Sequence, residues 1–303
     1  MPSRRHRDPI LGDFVRTRNP SMRALVATIE KVLDHDVSIL ILGESGSGKD
    51  HLAAAIHACG LRRAAPFVRI DCASIPPDLF ESELFGYEKG AFTDAATRKI
   101  GKLELAQGGT LYFDEIAALT PPLQAKLLRA LEERSFTRLG GNQSIALDVR
   151  VISSSALDLS ELRRDLLYRV NVVTLNVPPL RERSEDIERL ATSFLARRKR
   201  GFDDEAFRML LTYPWPGNVR ELRNAVDRAV LMEETDVITA AALPPLDGDV
   251  VDTAARARWT LEELESRYIR RVLSETSDNY SRAAEILGIN RKTLLEKRKK
   301  YGI

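Results

Sequence analysis

Gly43-Glu44-Ser45-Gly46-Ser47-Gly48-Lys49-Asp50 follows an apolar run and opens a helical one. Glycines let such a loop turn its backbone N–H groups toward an anion, and the helix that follows adds positive potential. A lysine at that point reaches the β and γ oxygens of a bound triphosphate. Asp50 takes the place where a hydroxyl residue usually follows the lysine. A second chemical motif, Thr110-Leu111-Tyr112-Phe113-Asp114-Glu115, ends an apolar strand in two carboxylates. Asp114 is suited to hold Mg²⁺ through water, and Glu115 to polarise an attacking water. In its strand–loop–helix context the glycine loop already points to a nucleotide; strand-ending acidic pairs alone are common, but paired with the loop they predict ATP hydrolysis. Phosphoryl transfer also needs positive charge on the γ-phosphate, and an inserted arginine is typically worth about 10³–10⁵ in rate. Arg163 and Arg169 in Leu162-Arg163-Arg164-Asp165-Leu166-Leu167-Tyr168-Arg169 are candidates, as is Arg220 in Trp215-Pro216-Gly217-Asn218-Val219-Arg220-Glu221-Leu222.

Between the two motifs lies Glu81-Ser82-Glu83-Leu84-Phe85-Gly86-Tyr87-Glu88-Lys89-Gly90-Ala91-Phe92-Thr93-Asp94-Ala95. It does not alternate as a strand would, and its two nearby glycines argue against a helix. The composition predicts an exposed, mobile loop with a sticky tip at Phe92, moved by the ATP chemistry below it.

The surrounding pattern predicts the scaffold. Apolar runs at 37–42, 67–70, 110–113, 149–152 and 172–175 alternate with helical ones, such as Pro122–Glu133 with Leu123, Leu127, Leu128 and Leu131 on one face. Such alternation predicts an α/β fold with a parallel sheet covered on both sides, over residues 14–180. After Pro178-Pro179 the spacing of Ile187, Leu190, Ala191, Phe194 and Leu195 predicts a helical lid, 181–245. A linker, 246–258, and a small all-α unit, 259–303, complete the chain.

The composition, 44% hydrophobic and 30% charged over 303 residues, excludes a disordered protein. Two cysteines, Cys59 and Cys72, are too few and too poorly spaced for a disulfide framework or a zinc site. No run is long and apolar enough for a membrane span and the start lacks a secretory signal, so a cytoplasmic protein that meets no membrane is expected. The basic leader before Pro20 is expected to be solvated and disordered.

Net charge is only +2, but Arg291-Lys292 and Lys297-Arg298-Lys299-Lys300 make the tail strongly basic. Ser281–Leu295 reads as helix, tight turn, helix: Ala283, Ala284 and Leu287 face inward, Gly288 permits the turn, and Asn290 caps the next helix. That grammar predicts a helix presented to the major groove of double-stranded DNA.

Taken together, these motifs resemble the AAA+ central domain of bacterial enhancer-binding proteins, the ATPases that activate sigma-54 RNA polymerase, from about Pro20 to Pro244. The resemblance implies a homo-oligomer, dimer to hexameric ring, that hydrolyses ATP with Mg²⁺. It implies that Lys49, Asp114 and Glu115 act at the nucleotide with the loop Gly43–Asp50, that Arg163 and Arg169 reach into a neighbour's site, and that Arg220 is a sensor on the lid. By the same resemblance, Phe92 and Thr93 grip sigma-54. Three departures stand out. Asp94 replaces a glycine of the gripping loop. Asp71 replaces an asparagine that holds the catalytic glutamate, so the two carboxylates would repel or share a proton. Ser155-Ala156 replaces a Thr-Asn sensor. Retained but slower or differently gated hydrolysis is expected.

From Leu261 to Ile303 the chain resembles a Fis-type helix-turn-helix. This implies that Asn290, Arg291 and Thr293 meet bases or nearby phosphates, with Lys292 on the same helix start, and that Lys297, Lys299 and Lys300 hold the DNA backbone. Glu296 would read a cytosine or pair with Lys300. The preceding helix, with Leu261, Leu264, Tyr268 and Leu273, would dimerise on an inverted-repeat enhancer. The family often carries an N-terminal sensory domain; none fits before Pro20, so a regulatory partner protein, expression level or another segment would bring the signal. The alternative is an AAA+-derived DNA-binding regulator that does not remodel sigma-54 polymerase. An unfoldase or clamp-loading motor is disfavoured by the DNA-reading tail.

Overall fold

The computed structural model describes residues 14, 16–93, 95–156, 158–195, 201–244, 259–276 and 279–302. The leader before Phe14, the linker expected at 246–258, and Asp94 lie outside them. Two compact units result: one runs to Leu243 without Thr212–Pro214, and the other comprises those three residues and Pro244–Ile303.

The first unit contains strands β1 (Ile39–Leu42), β2 (Phe67–Asp71), β3 (Gly86–Tyr87), β4 (Lys99–Ile100), β5 (Thr110–Asp114), β6 (Ser135–Thr137), β7 (Ser144–Ala146), β8 (Arg150–Ser155) and β9 (Val173–Asn176). Five of them form one sheet in the order β2-β5-β8-β1-β9, each pairing parallel to the next. Helices α1 (Pro20–Val32), α2 (Lys49–Cys59), α3 (Pro77–Phe85), α4 (Lys102–Leu105), α5 (Pro121–Glu133) and α6 (Arg164–Val170) connect or cover it. Three of the starts have a local cause. Asn19 accepts the Met22 N–H at 3.1 Å to cap α1, and prolines occupy the first turns of α1, α3 and α5 where no N–H partner is lost.

Successive strand residues face opposite ways, and the two cores follow that alternation. Leu40, Leu111, Phe113 and Val151 pack with Leu127 and Leu131 of α5 on one face. Ile39, Ile41, Tyr112 and Ile152 pack with Leu52 and Ile56 of α2 and Ile29 of α1 on the other. Each fully buried leucine or isoleucine contributes about 1.5–3 kcal/mol, and Leu127→Ala would cost about 2–5 kcal/mol. The same period of two has a functional result: Asp114 lies on the Tyr112 face, toward α2.

The expected loop from Glu81 is shorter than its composition suggested. Glu81–Phe85 form the last turns of α3, with Leu84 and Phe85 buried, and Gly86–Tyr87 pair with Lys99–Ile100. The apolar side chains settled against the core fix these residues; the charged ones disguised the helix. A second ribbon, β6 with β7, was equally hidden in the sequence.

The lid packs α7 (Ile187–Phe194), α8 (Asp204–Thr212) and α9 (Asn218–Met232) beside a short parallel pair, β10 (Gly201–Phe202) with β11 (Val237–Ile238). Its anchor is Trp215, fully buried, whose indole N–H donates to Leu210 O at 2.8 Å.

The second unit holds α10 (Leu261–Glu275), α11 (Tyr280–Ile286) and α12 (Arg291–Tyr301) around Ile269, Val272, Leu273, Ala283, Ala284 and Leu294. Gly288 turns the chain at φ +65°, a conformation costly for a side chain, and Ile289 N–H donates to Ala284 O at 3.0 Å. Leu273 belongs to this core and is not available for dimerisation; Leu261 and Tyr268 are exposed.

Candidate nucleotide and metal site

The loop Gly43–Gly48 runs from β1 into α2. At Gly46, φ is +74° and an added Cβ would lie 2.3 Å from Gly217 O, so no other residue fits there without moving the lid. Lys49 is 5% exposed. Its ammonium donates to Gly43 O at 2.8 Å and Glu44 O at 3.4 Å, and lies 3.1 Å from Glu115 Oε1. Ser47 Oγ is buried in the loop with no hydrogen-bond partner, an orphaned polar atom that a bound ligand would satisfy.

Glu115 has φ +52°, unusual for a residue with a side chain, and this aims it back along the sheet edge. Its Oε2 accepts the Ala156 N–H at 2.9 Å. The expected confrontation of Asp71 with Glu115 does not occur in the contacts they make. Asp71 Oδ1 accepts the N–H groups of Ala73 and Ser74 at 3.1 and 3.2 Å, closing its own turn. A short aspartate carboxylate is satisfied locally, as such residues are in turns.

Asp114 sits in a polar cluster that sequence reading missed. Because β2, β5 and β8 are in parallel register, with Arg69 opposite Tyr112 and Tyr112 opposite Ile152, Arg69, Tyr112, Asp114 and Ser154 share one face. Asp50 joins them from the first turn of α2. Ser154 Oγ lies 2.7 Å from Asp114 Oδ1, and Tyr112 Oη lies 2.8 Å from Asp50 Oδ1, 2.9 Å from Ser154 Oγ and 3.2 Å from Asp114 Oδ1. Two hydroxyl protons cannot serve four such approaches, so the oxygen cluster is short of positive charge. Arg69 supplies it: Nη2 lies 2.8 Å from Asp50 Oδ2 and 2.5 Å from Asp114 Oδ2.

These contacts set protonation. Burial alone would raise the Asp114 carboxyl, but the hydrogen bonds from Ser154 and Arg69 outweigh it and hold it below the usual range. Burial pushes the Tyr112 phenol far upward, so it remains a donor. An oxygen-rich, ionised set fits a hard divalent cation. No cage of three or more His, Cys, Asp or Glu exists among the described residues, so the cation would rest on Asp114, with Asp50 near, and on water and phosphate.

The lid closes over the loop through several contacts. Gly46 O accepts the N–H groups of Val219 and Arg220 at 3.0 and 3.3 Å, and Arg220 Nη1 donates to Ser45 Oγ at 3.0 Å. Arg181 clamps Glu44 with two bonds of 2.9 and 2.7 Å; Asn218 Nδ2 donates to Glu44 Oε2 and Ser45 O, both at 3.1 Å. Arg183, buried, donates to Ser47 O at 2.6 Å. Burial, only partly offset by Asp186, lowers its guanidinium to about 10. Of these lid residues only Arg220 was marked by its motif; the others announce themselves only through partners 130 or more positions away.

Arg163 and Arg169 lie at the start and end of α6, both exposed. Arg163 pairs with Asp165 at 2.6 Å, which pulls that carboxyl down to about 2, and Arg169 donates to Leu131 O at 2.6 Å. Neither contacts the phosphate loop of its own chain in these bonds. Phe92 is 46% exposed, its ring meeting Tyr87 edge-on at 4.9 Å, and Thr93 is exposed beside it.

In the second unit, Asn290 Oδ1 accepts the Thr293 N–H at 2.8 Å, opening α12 with Arg291 and Lys292 exposed. Lys297, expected on the DNA backbone, donates to Glu265 Oε1 at 2.7 Å within the unit. Lys300 pairs with Glu262, not with Glu296 four residues earlier, because α10 brings its acidic start against the end of α12.

Comparison with known proteins decides the family. The sigma-54 interaction domain model matches residues 15–176, more than half of the chain. The chain belongs to the sigma-54 interaction domain family. An AAA+ ATPase lid domain follows at 181–257 and a Fis-family bacterial regulatory domain at 260–301. Relatives in this family include the transcriptional regulatory protein ZraR of Klebsiella oxytoca, 45% identical, covering 92% of this chain and 67% of the relative. The regulatory protein AtoC of Escherichia coli is 41% identical over 95% of this chain and 68% of its own. Among solved structures, NtrX from Brucella abortus in complex with ATP is 37% identical with a TM-score of 0.69, covering 95% and 69% of the two chains. Hsp104 of S. cerevisiae, at 20% identity and TM-score 0.52 over 73% and 45%, shares the fold alone. The chain is therefore a sigma-54-type transcription regulator with an AAA+ ATPase fold and a helix-turn-helix DNA-binding unit. Among the described residues no helix is long and apolar enough to cross a membrane.

Proposed function

We propose that this chain is an ATP-driven activator that binds enhancer DNA and remodels sigma-54 RNA polymerase toward the open complex. The observation that carries the reading is Lys49, from the phosphate loop, 3.1 Å from Glu115, the residue after Asp114 on the same sheet edge. A triphosphate at the loop draws Lys49 onto its β and γ oxygens, and Glu115, released from the ammonium, orients water. Mg²⁺ held by Asp114 would neutralise charge on the phosphates. Arg220 senses nucleotide from the lid. Arg163 and Arg169, turned outward, complete the site of a neighbouring copy, which makes a ring, up to a hexamer, the working form. Phe92 and Thr93 form the contact raised against sigma-54. Asn290, Arg291, Lys292 and Thr293 meet the DNA, and paired copies fit an inverted repeat. A regulatory partner protein remains a compatible source of the signal.

The test is open-complex formation by sigma-54 polymerase on a promoter with its enhancer, with ATP, comparing wild type and Thr93→Ala. ATP-dependent opening by wild type and loss in the variant are expected. ATP turnover without any opening by wild type would leave a DNA-binding regulator that does not remodel polymerase.

A further inference from the structure

One nitrogen of Arg69 does what a metal ion does. Nη2 alone approaches Asp50 Oδ2 at 2.8 Å and Asp114 Oδ2 at 2.5 Å. Hydroxyls of Tyr112 and Ser154 approach the opposite carboxylate oxygens, Asp50 Oδ1 at 2.8 Å and Asp114 Oδ1 at 2.7 Å. Without Arg69, the two carboxylates would face each other with only two hydroxyl protons between them. Arg69 is half exposed, so its long side chain has room to leave.

We propose that Arg69 is a tethered counter-ion of the metal site: it joins Asp50 to Asp114 until a divalent cation displaces it. This rests on the nucleotide and metal reading above. It makes Arg69 a positioning residue that sets how much divalent cation the chain requires. Its placement follows from β2: residue 69 is in register with Tyr112, two residues before Asp114, on the face where α2 delivers Asp50. Displacement would free the guanidinium to solvent or toward the phosphates and leave Asp114, with Asp50 near, to hold the cation. Because Arg69 itself is half exposed, although Asp114 is nearly buried, its hold is partly screened, and a moderate change in cation affinity is expected, not an all-or-none one.

The test is Mn²⁺ binding to the full chain, read from the loss of the free-ion signal in electron paramagnetic resonance, with and without ADP. Wild type is compared with Arg69→Gln, Arg69→Lys and Asp114→Asn, each checked for fold by circular dichroism. Arg69→Gln should bind Mn²⁺ about two- to fivefold more tightly than wild type. Arg69→Lys, a point charge that keeps the counter-ion, should lie closer to wild type. Mn²⁺ affinity unchanged or weakened in Arg69→Gln would overturn the proposal, including the case where Arg69 serves nucleotide binding, seen as weaker metal-free ADP binding. Should Asp114→Asn bind Mn²⁺ as well as wild type, the underlying metal site assignment itself would fail. Asp114-dependent binding that ignores Arg69 would sink only the counter-ion.

Discussion

The Lys49 ammonium, 3.1 Å from Glu115 Oε1, also donates to Gly43 O within its own loop. On the proposed reading, one cation thus contacts both the loop that would seat the phosphates and the carboxylate that would handle water. Glu115 is held by Lys49 and by the Ala156 N–H. On that reading, a triphosphate that drew Lys49 away would leave Glu115 with the backbone bond alone, so binding and release of the carboxylate would be one event.

Glu115→Gln should separate binding from turnover. The amide keeps an oxygen for the Ala156 N–H and loses the charge opposite Lys49. ATP affinity, by calorimetry, should be kept or improved, while phosphate release falls by about 10²–10⁴. Lys49→Ala should lose affinity itself. Equal turnover in wild type and Glu115→Gln would contradict the role.

Phe92→Ala should affect partner engagement without loosening the fold. The ring is half exposed and rests only edge-on against Tyr87. Such a contact is worth about 0.5–1.5 kcal/mol, so a small drop in melting temperature is expected. ATP turnover should persist while sigma-54 polymerase activation disappears. Normal activation would remove Phe92 from the contact.

Trp215→Ala should be the most damaging single truncation in the lid. It empties a fully buried site, strands Leu210 O, and acts at φ +49°, where alanine gains nothing. Truncating a buried aromatic costs about 3–5 kcal/mol. Because Gly217 O and Gly46 pack at the adjoining turn, nucleotide affinity should weaken as well. Urea unfolding and ADP titration would measure both; a stable variant with unchanged ADP affinity would refute the coupling.

The sheet and the phosphate loop were legible because local pattern determines them. Ile39–Leu42 is apolar on both faces, and the glycines before Lys49 leave few alternatives. The same holds for α11, the Gly288 turn and the Asn290 cap. What stayed hidden depends on residues far apart. Arg69 looks like a solvent-facing residue in an edge-strand sequence until parallel register sets it beside Tyr112 and Asp50. Arg181 reaches Glu44 and Arg183 reaches Ser47 across the lid, with no spacing signal to announce it. The Lys297–Glu265 pair was hidden too, since nothing in a basic tail announces the approach of α10. Glu81–Phe85 misled in the opposite direction, since its charges disguised a helix whose Leu84 and Phe85 enter the core.

Glu265 should give the helix-turn-helix unit stability shoulders at both ends of the pH scale. Hydrogen bonds from Lys297 and from Tyr301, the latter at 2.5 Å, lower its carboxyl from 4.5. The accepted bond in turn raises the Tyr301 phenol from 10.0. For the lowered acid, the stabilisation is complete above about pH 4.5 and vanishes as pH falls through its folded value. For the raised phenol, it is complete below about pH 10 and vanishes as pH rises through its folded value. Calorimetric melting of the full chain and of Glu265→Gln should therefore differ most between pH 6 and 9. The difference should shrink as pH falls below about 4.5 through the lowered value of Glu265, and as pH rises above about 10 through the raised value of Tyr301. A wild-type to variant difference that is flat across this range would show that Glu265 packs its neighbours without using its charge.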